Sequence, residues 1–410
     1  MHKKRVVIVG GGFAGVRAAL DLARHIYDLK IIIIDKQGFH SYPSDYYKLI
    51  LRGTHRKGHL SPAKFSLLFS SVTISLAEIF EGQKNVELVR DEVTGIDAAF
   101  QAVRTASGKT IIYDWLILAA GSVTNFYGIP GLRERAFELK TTADALNIRN
   151  AIDEIFSRRA KHENIMIVVG GGGFSGCEVV SELAMCVKNL AKIHGHPMKN
   201  ISILVIEAAR SLLSNTHPWV RAKAKKRLQD LGVEAILSDP VIDVKDGVIE
   251  LKSGKTIHYD VFIWTAGVKA CPLAEKISGL NLGKGSCIVV NKYLQINLDP
   301  VIFAVGDVAF CEAFERKPLP MTAQTAISQG QYVAYIIKRI LHGRNIFVYH
   351  PYKSKFIIPL GGHYALADLG WVRFEGFFAW ALKRLVALKY FFSILPFHKA
   401  LKLWWKGVKF

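Results

Sequence analysis

The chain holds only five cysteines in 410 residues, no two of them form a CxxC pair, and none precedes Cys177. That excludes a disulfide framework and fits a reducing compartment. Long apolar runs are missing as well. No stretch of about 18 uncharged apolar residues occurs, so a spanning helix is not expected. The histidines show neither HxxxH nor clustered spacing, and no metal site is expected. Acidic residues are scarce, 34 against 54 Lys and Arg, which leaves a formal net charge of +20. Such a balance points to an anionic partner, either nucleic acid, an anionic membrane face or anionic cofactors. The opening Met-His-Lys-Lys-Arg runs straight into a strand pattern, so no secretory leader is expected.

What is present is a large apolar fraction, 50% of the residues, and length enough for two or three domains. A glycine pattern occurs twice. In "RVVIVGGGFAGVRAALDLA", Arg5 to Val9 read as a buried strand, Gly10, Gly12 and Gly15 form GxGxxG, and a helix follows from Val16 to His25. A second apolar run, Lys30 to Ile34, ends in Asp35. In this motif the first glycine allows the tight turn, the second admits a pyrophosphate to the backbone, and the third lets helix pack on strand. The acid accepts hydrogen bonds from a ribose diol. "MIVVGGGGFSGCEVVSELA" repeats the logic with strand Ile165 to Val169, Gly171, Gly173 and Gly176, a helix through about Leu190, and a strand Ile201 to Ile206 ending in Glu207. The two acids favour an unphosphorylated ribose, hence NADH over NADPH, although Arg210 stands close enough to meet a 2′-phosphate.

Two dinucleotide sites in one chain imply electron transfer between them, since a flavin accepts hydride from a nicotinamide and passes electrons on singly or in pairs. One loop is therefore assigned to FAD and the other to NADH. "TIIYDWLILAAGS" and "TIHYDVFIWTAGV" form a second internal match, each a strand closing in Ala-Gly. Each is preceded by an expected β-meander, over 85–109 and 233–255. "VIFAVGDVAF" reads as a strand ending in Gly306-Asp307.

With "VVIVGGGFAG", "LILAAGS", "VVGGGGFSGCE", "WTAGV", "IFAVGDVA" and "TAQTAISQG" in this order, followed by a basic aromatic tail, the chain resembles the type II NADH:quinone oxidoreductases. These are flavoproteins with two dinucleotide-binding domains. The resemblance implies an α/β fold of two Rossmann-like domains, glutathione-reductase-like, plus a C-terminal amphipathic helical membrane-docking segment. It divides the chain into a first FAD-binding part (1–125), an NADH-binding domain (126–270), a second FAD-binding part (271–360) and a membrane-association segment (361–410). It implies that Gly10, Gly12, Phe13, Ala14, Gly15, Asp35, Lys36, Val93, Ala120, Gly121, Gly306, Asp307, Ala323 and Gln324 hold FAD. Gly171, Gly173, Phe174, Ser175, Gly176, Glu207 and Gly267 would hold NADH. Glu178 matches a carboxylate near the meeting of nicotinamide and flavin, and Gln324 a residue at the quinone end of the site. As plain residues, Glu178 equally reads as a helix-dipole complement, Gln324 as a polar residue opening a helix, and Cys177 as a small packing residue.

Two segments depart from the family. A second glutamine four residues after Gln324 is replaced by Ser328, with Gln329 next to it, and the loop after the first acid reads "HSYPSDYYKLI" with Pro43 shifted. Acceptor identity is the part these departures leave open. Rival readings are a sulfide:quinone oxidoreductase, a soluble NADH:ferredoxin or rubredoxin reductase, and an NADH-sensing flavoprotein of the apoptosis-inducing-factor kind.

The tail, 371–410, carries eight Lys and Arg against the single acid Glu375. On a helical wheel His398, Lys399, Lys402, Lys406 and Lys409 share one arc, and Phe397, Leu401, Trp404 and Val408 lie opposite, flanked by Trp405. That is a helix fit to lie in an anionic membrane surface, or else to pack on its own domain or a second subunit. The expected setting is the cytoplasmic face of the inner (cell) membrane, with ubiquinone or menaquinone as acceptor, no proton pumping, no nucleic-acid partner, and a homodimer left open.

Overall fold

The computed structural model describes residues 3–24, 28–51, 62–312, 318–352 and 355–409. Two five-stranded parallel sheets organise it. The first runs in the order 302–304, 115–118, 4–9, 29–34, 86–89, and the second in the order 137–138, 261–264, 165–170, 201–207, 233–237. The central strands are mostly β-branched residues and Leu, and their middles are covered on both faces: Val6, Val7 and Ile8 are each 0% exposed. That is how a strand flanked by helices on both sides must read. Burial contributes roughly 1.5–3 kcal/mol per such side chain.

The expected strands appear with small changes of bounds, Lys4–Val9, Leu29–Ile34, Ile165–Gly170 and Ile201–Glu207. Helix α1 (Phe13–Ala23) follows the first glycine loop; His25, the end of that expected helix, lies outside the described residues. Short helix α2 (Tyr46–Leu51) and helix α3 (Pro62–Val72) come next. Helix α4 (Thr142–Arg158) opens the second half with a reciprocal cap between Thr141 and Asp144. Helix α5 (Phe174–His194) outruns the expected end near Leu190 and stops at left-handed Gly195. Helix α6 (Pro218–Asp230) packs against the C-terminal sheet, and helix α7 (Ala323–Leu341) lies along α1. A short antiparallel link, 122–124 with 268–270, joins the halves.

Two expectations are corrected. The meanders are shorter than their sequence suggests. Val86–Val89 and Val233–Leu237 leave them to pair in parallel with the sheet edges at 29–34 and 201–207. An apolar edge strand otherwise leaves a row of backbone donors and acceptors unmatched, and the next strand in the chain fills it. The meanders proper are 93–112 and 241–258. Likewise 361–376 is not helical. Phe356–Pro359, Ala365–Asp368 and Arg373–Gly376 form an antiparallel sheet, turned at Gly361, Gly362 and Gly370, all with positive φ. Helix begins only at Phe377, with α8 (Phe377–Ile394) and α9 (Phe397–Lys409) separated at Pro396.

The halves do not merely touch. Tyr46, Tyr47, Leu49 and Ile50 of α2 are buried in the core of the second half with Ile167, Val169 and Val180. Ala387, Phe391 and Ile394 of α8 are buried in the core of the first half with Ile8, Phe303 and Ile336. In α9 the buried side is Ala400, Leu403 and the half-buried Trp404, whose indole donates to the Arg384 carbonyl at 2.8 Å. Trp404 therefore turns inward rather than sharing the free face of Phe397 and Leu401, and Lys399 reaches Glu81 and Glu78 on the body. A wheel shows which residues share a side but not which side a neighbour covers.

Candidate active site

The two glycine loops are built alike. Gly10 (φ +108°) and Gly171 (φ +103°) sit where a Cβ would lie 2.4 Å from the Ala119 carbonyl oxygen and 2.6 Å from the Ala266 Cα. At Gly15 and Gly176 a Cβ would lie 2.0 and 1.8 Å from the carbonyl oxygen of the first glycine. At Gly12 and Gly173 it would meet nothing within 4 Å. The first and third glycines are thus demanded by the protein itself, whereas the middle one faces open space. Gly12 and Gly173 are also the N-caps of α1 and α5, with no side chain capping either. The first-turn amides are left for an anion. This surface fits a dinucleotide pyrophosphate.

Each acid braces its loop. Asp35 accepts from the amides of Gly11 (2.8 Å), Gln37 (2.8 Å) and Gly38 (2.9 Å), and Lys36 beside it is exposed. Glu207 accepts from Gly172 (2.6 Å) and Ala209 (2.7 Å). Phe13 and Ala14 open α1, and Phe174 and Ser175 open α5. Phe174 is exposed, with its ring 4.9 Å from that of Phe356, edge to face. A Cβ at Gly267 (φ +141°) would lie 2.3 Å from the Tyr127 hydroxyl, which donates to the Ala266 carbonyl at 3.0 Å.

At the end of strand 302–304, Gly306 is left-handed and its amide donates to the buried Gln329 side chain at 2.6 Å. Asp307 accepts from Ser122 at 2.6 Å, Ser122 from Lys140 at 2.8 Å, and the ammonium stands 3.9 Å from Asp307. Burial lowers the Lys140 pKa against the pull of Asp307. Gly121, left-handed like Gly306, and Ala120 lie just before Ser122, and buried Val93 starts the first meander.

Glu178, half-buried on α5, has its carboxyl pushed up to about 7 by desolvation first, with Asp45 adding to the rise and Lys383 and Lys48 opposing it. Asp45 is buried, 2.6 Å from Lys48 and 3.5 Å from Arg384. Burial works against its charge, yet the two cations hold its pKa low. Tyr42 beside this cluster is buried, stacked on Tyr390 at 5.7 Å and set edge-on to Phe13 at 6.0 Å. Gln324 stands elsewhere. With Thr322, Thr325, Ser328, Tyr349 and Tyr352 it lines a groove at the start of α7, where the Tyr349 hydroxyl donates to Ser328 at 3.1 Å. None of the groove's lining residues belongs to the Glu178 cluster.

A profile of the pyridine nucleotide-disulphide oxidoreductase family matches residues 4–330. A type II NADH:quinone oxidoreductase of Staphylococcus aureus (strain NCTC 8325 / PS 47) is 31% identical over 375 residues, covering 88% of this chain and 88% of that one. The chain belongs to the type II NADH:quinone oxidoreductase family. The Plasmodium falciparum NDH2 structure in complex with NADH matches with a TM-score of 0.83 at 19% identity, over 99% of this chain and 98% of that one. A sulfide:quinone oxidoreductase from Aquifex aeolicus matches at 0.78 and 19%, over 95% and 90%. At such identities these two share the fold and no more.

Among the described residues of this type II oxidoreductase no two cysteines are joined in a disulfide. Its site also contains residues that motif reading passed over. Lys140 and Arg384 carry no local pattern, because their partners Asp307 and Asp45 lie 167 and 339 positions away, and only Lys48 stands near Asp45 in the chain, 3 positions on. Gln329 had a signal in its position beside Ser328. Its buried amide holds the Gly306 turn rather than facing the groove.

Proposed function

We propose that this chain is an FAD-dependent, non-proton-pumping NADH:quinone oxidoreductase, with FAD on the first loop and NADH on the second. It would sit on the cytoplasmic face of the cell membrane. The observation that carries the reading is the pair of equivalent loops, each open only at its middle glycine and each braced by an acid. Bound FAD would supply the step from hydride acceptance to two-electron delivery. The chain's own residues bind and orient. Gly12 and Gly173 admit the pyrophosphates, Asp35 and Glu207 face the riboses, and Asp307, 3.9 Å from the Lys140 ammonium, receives ribityl hydroxyls. Val93, Ala120, Gly121 and Ala323 would line the flavin, and Gly267 the nicotinamide half. Glu178, poised near neutrality, holds or releases a proton at its carboxyl where the two rings meet, and Gln324 offers its amide to a quinone.

Membrane docking is supported by the exposed apolar faces of α8 and α9. Phe378 (78% exposed), Leu385, Phe392, Phe397 (69%), Leu401 and Trp405 are all open to solvent, beside Lys389 and Lys402. No helix among the described residues is long and apolar enough to cross a membrane. A sulfide:quinone reading would need reactive thiols at the flavin. Here burial raises the thiol pKa of Cys177 and Cys287, and that of Cys311 to about 11, and no cysteine follows Cys311. The test is anaerobic. NADH should bleach the flavin absorbance and a short-chain quinone in detergent should restore it. A spectrum unmoved by NADH overturns the assignment.

A further inference from the structure

The two glycine loops match amide for amide, but they differ in how one carbonyl is held. In both, the residue after the first glycine donates its N–H to the acid, Gly11 to Asp35 and Gly172 to Glu207. The Gly172 carbonyl then accepts from the backbone amide of Leu213 at 2.8 Å, inside the same half of the molecule. The Gly11 carbonyl faces a side chain instead, His40 Nδ1 at 3.1 Å. That imidazole is fully buried, and its Nε2 lies 2.8 Å from the hydroxyl of Tyr390 on α8.

The proton assignment follows from the partners. A carbonyl oxygen only accepts, so Nδ1 carries the hydrogen, Nε2 offers its lone pair, and Tyr390 donates. Desolvation lowers the ring's pKa to about 4, against small opposing contributions from Gly11 and Asp35, so the ring stays neutral in this tautomer at working pH. Aromatic contacts fix both partners. Phe13, first residue of α1, meets His40 edge to face at 5.0 Å and Tyr390 at 5.1 Å, and Tyr42 stacks on Tyr390 at an interplanar angle of 23°.

We propose that His40 and Tyr390 are positioning residues for the flavin loop, so that retention of FAD depends on helix α8 being seated while the NADH loop is independent of it. The first loop is thereby wired to the helix whose outer face is exposed and apolar, and the second is not. The chemistry is positional. With the Gly11 residue held at its N–H and at its C=O, the two peptide groups flanking it keep the Gly12 and Phe13 amides in the arrangement that receives a pyrophosphate.

The inference rests on FAD occupying the first loop, and one experiment separates the two. Full-length protein is purified, its flavin content measured, and FAD release followed by the rise in free-flavin fluorescence for wild type, Tyr390→Phe, His40→Ala and the double variant. NAD+ affinity is measured on the same preparations. Tyr390→Phe keeps the stacked ring and removes only the donor. It should speed FAD release by roughly five- to tenfold, the effect of one lost buried hydrogen bond. The double variant should be no worse than His40→Ala alone, because both changes break one chain, and the NAD+ affinity should stay within twofold of wild type. Wild-type release rates in both single variants, additive effects in the double, or a parallel loss of NAD+ affinity would each overturn the proposal. Protein that never carries flavin would instead defeat the cofactor assignment.

Discussion

Alanine at Gly12 and alanine at Gly15 differ by three positions and should fail in opposite ways. At Gly15 the new Cβ would stand 2.0 Å from the Gly10 carbonyl oxygen, a backbone atom that cannot rotate aside. Helix α1 and strand 4–9 must separate by about 1 Å, and overpacking of a fully buried contact costs about 1–3 kcal/mol or more. Gly15→Ala should therefore lower the denaturant midpoint of the apoprotein itself. At Gly12 the Cβ meets no protein atom within 4 Å, so the apoprotein should unfold where wild type does. The methyl group instead occupies the space a pyrophosphate would take. The same about 1–3 kcal/mol then appears as a roughly 5- to 150-fold weaker FAD affinity. Urea titration of flavin-stripped protein gives the first number and fluorescence titration with FAD the second. Full flavin affinity in Gly12→Ala would refute the reasoning, because the open face of the loop would then not be a cofactor surface. Gly173→Ala and Gly176→Ala repeat the contrast for NADH.

Because the folded protein holds the Glu178 proton up to about pH 7 while the unfolded chain releases it in the ordinary carboxylate range, stability falls as pH rises between those limits. Glu178→Gln should flatten both that slope and an inflection near pH 7 in flavin reduction by NADH, read by stopped flow; an unchanged inflection assigns it to another group. Arg384→Met leaves buried Asp45 with Lys48 as its remaining ion-pair partner and should cost about 1–3 kcal/mol in urea unfolding; an unshifted midpoint would mean Lys48 suffices. Since α8 shares a core with the first sheet, docking is best probed by Phe378→Glu with Trp405→Glu, both exposed. Flotation with anionic vesicles should be lost while the melting temperature holds, and undiminished flotation would place the lipid contact elsewhere.

Much of the architecture was legible because its signals are local. A run such as Val6 to Val9 followed by Gly10, Gly12 and Gly15 constrains its own backbone, whatever surrounds it, and the same is true of Ile165 to Gly176. The acids Asp35 and Glu207 fall at strand ends that chain length fixes. Legibility failed where a choice depended on what lay alongside. Val86–Val89 has the alternation of a meander strand, and only the open edge at 29–34 drew it into the parallel sheet. The strands within 356–376 stand beside a tail whose charge and aromatics dominate its composition.

From the residues alone came two dinucleotide folds, their order, the basic tail and the kinship with type II NADH:quinone oxidoreductases, all properties carried by contiguous chain. Tertiary structure alone decided that α2 enters the other half's core, that Trp404 faces inward, that Asp45 meets Arg384, and that His40 joins the first loop to Tyr390. The contacts of α2, of Asp45 with Arg384 and of His40 with Tyr390 span from about a hundred to 350 positions, and pairings across such distances leave no periodicity to read. They are set by which surfaces remain to be covered once the local elements have formed.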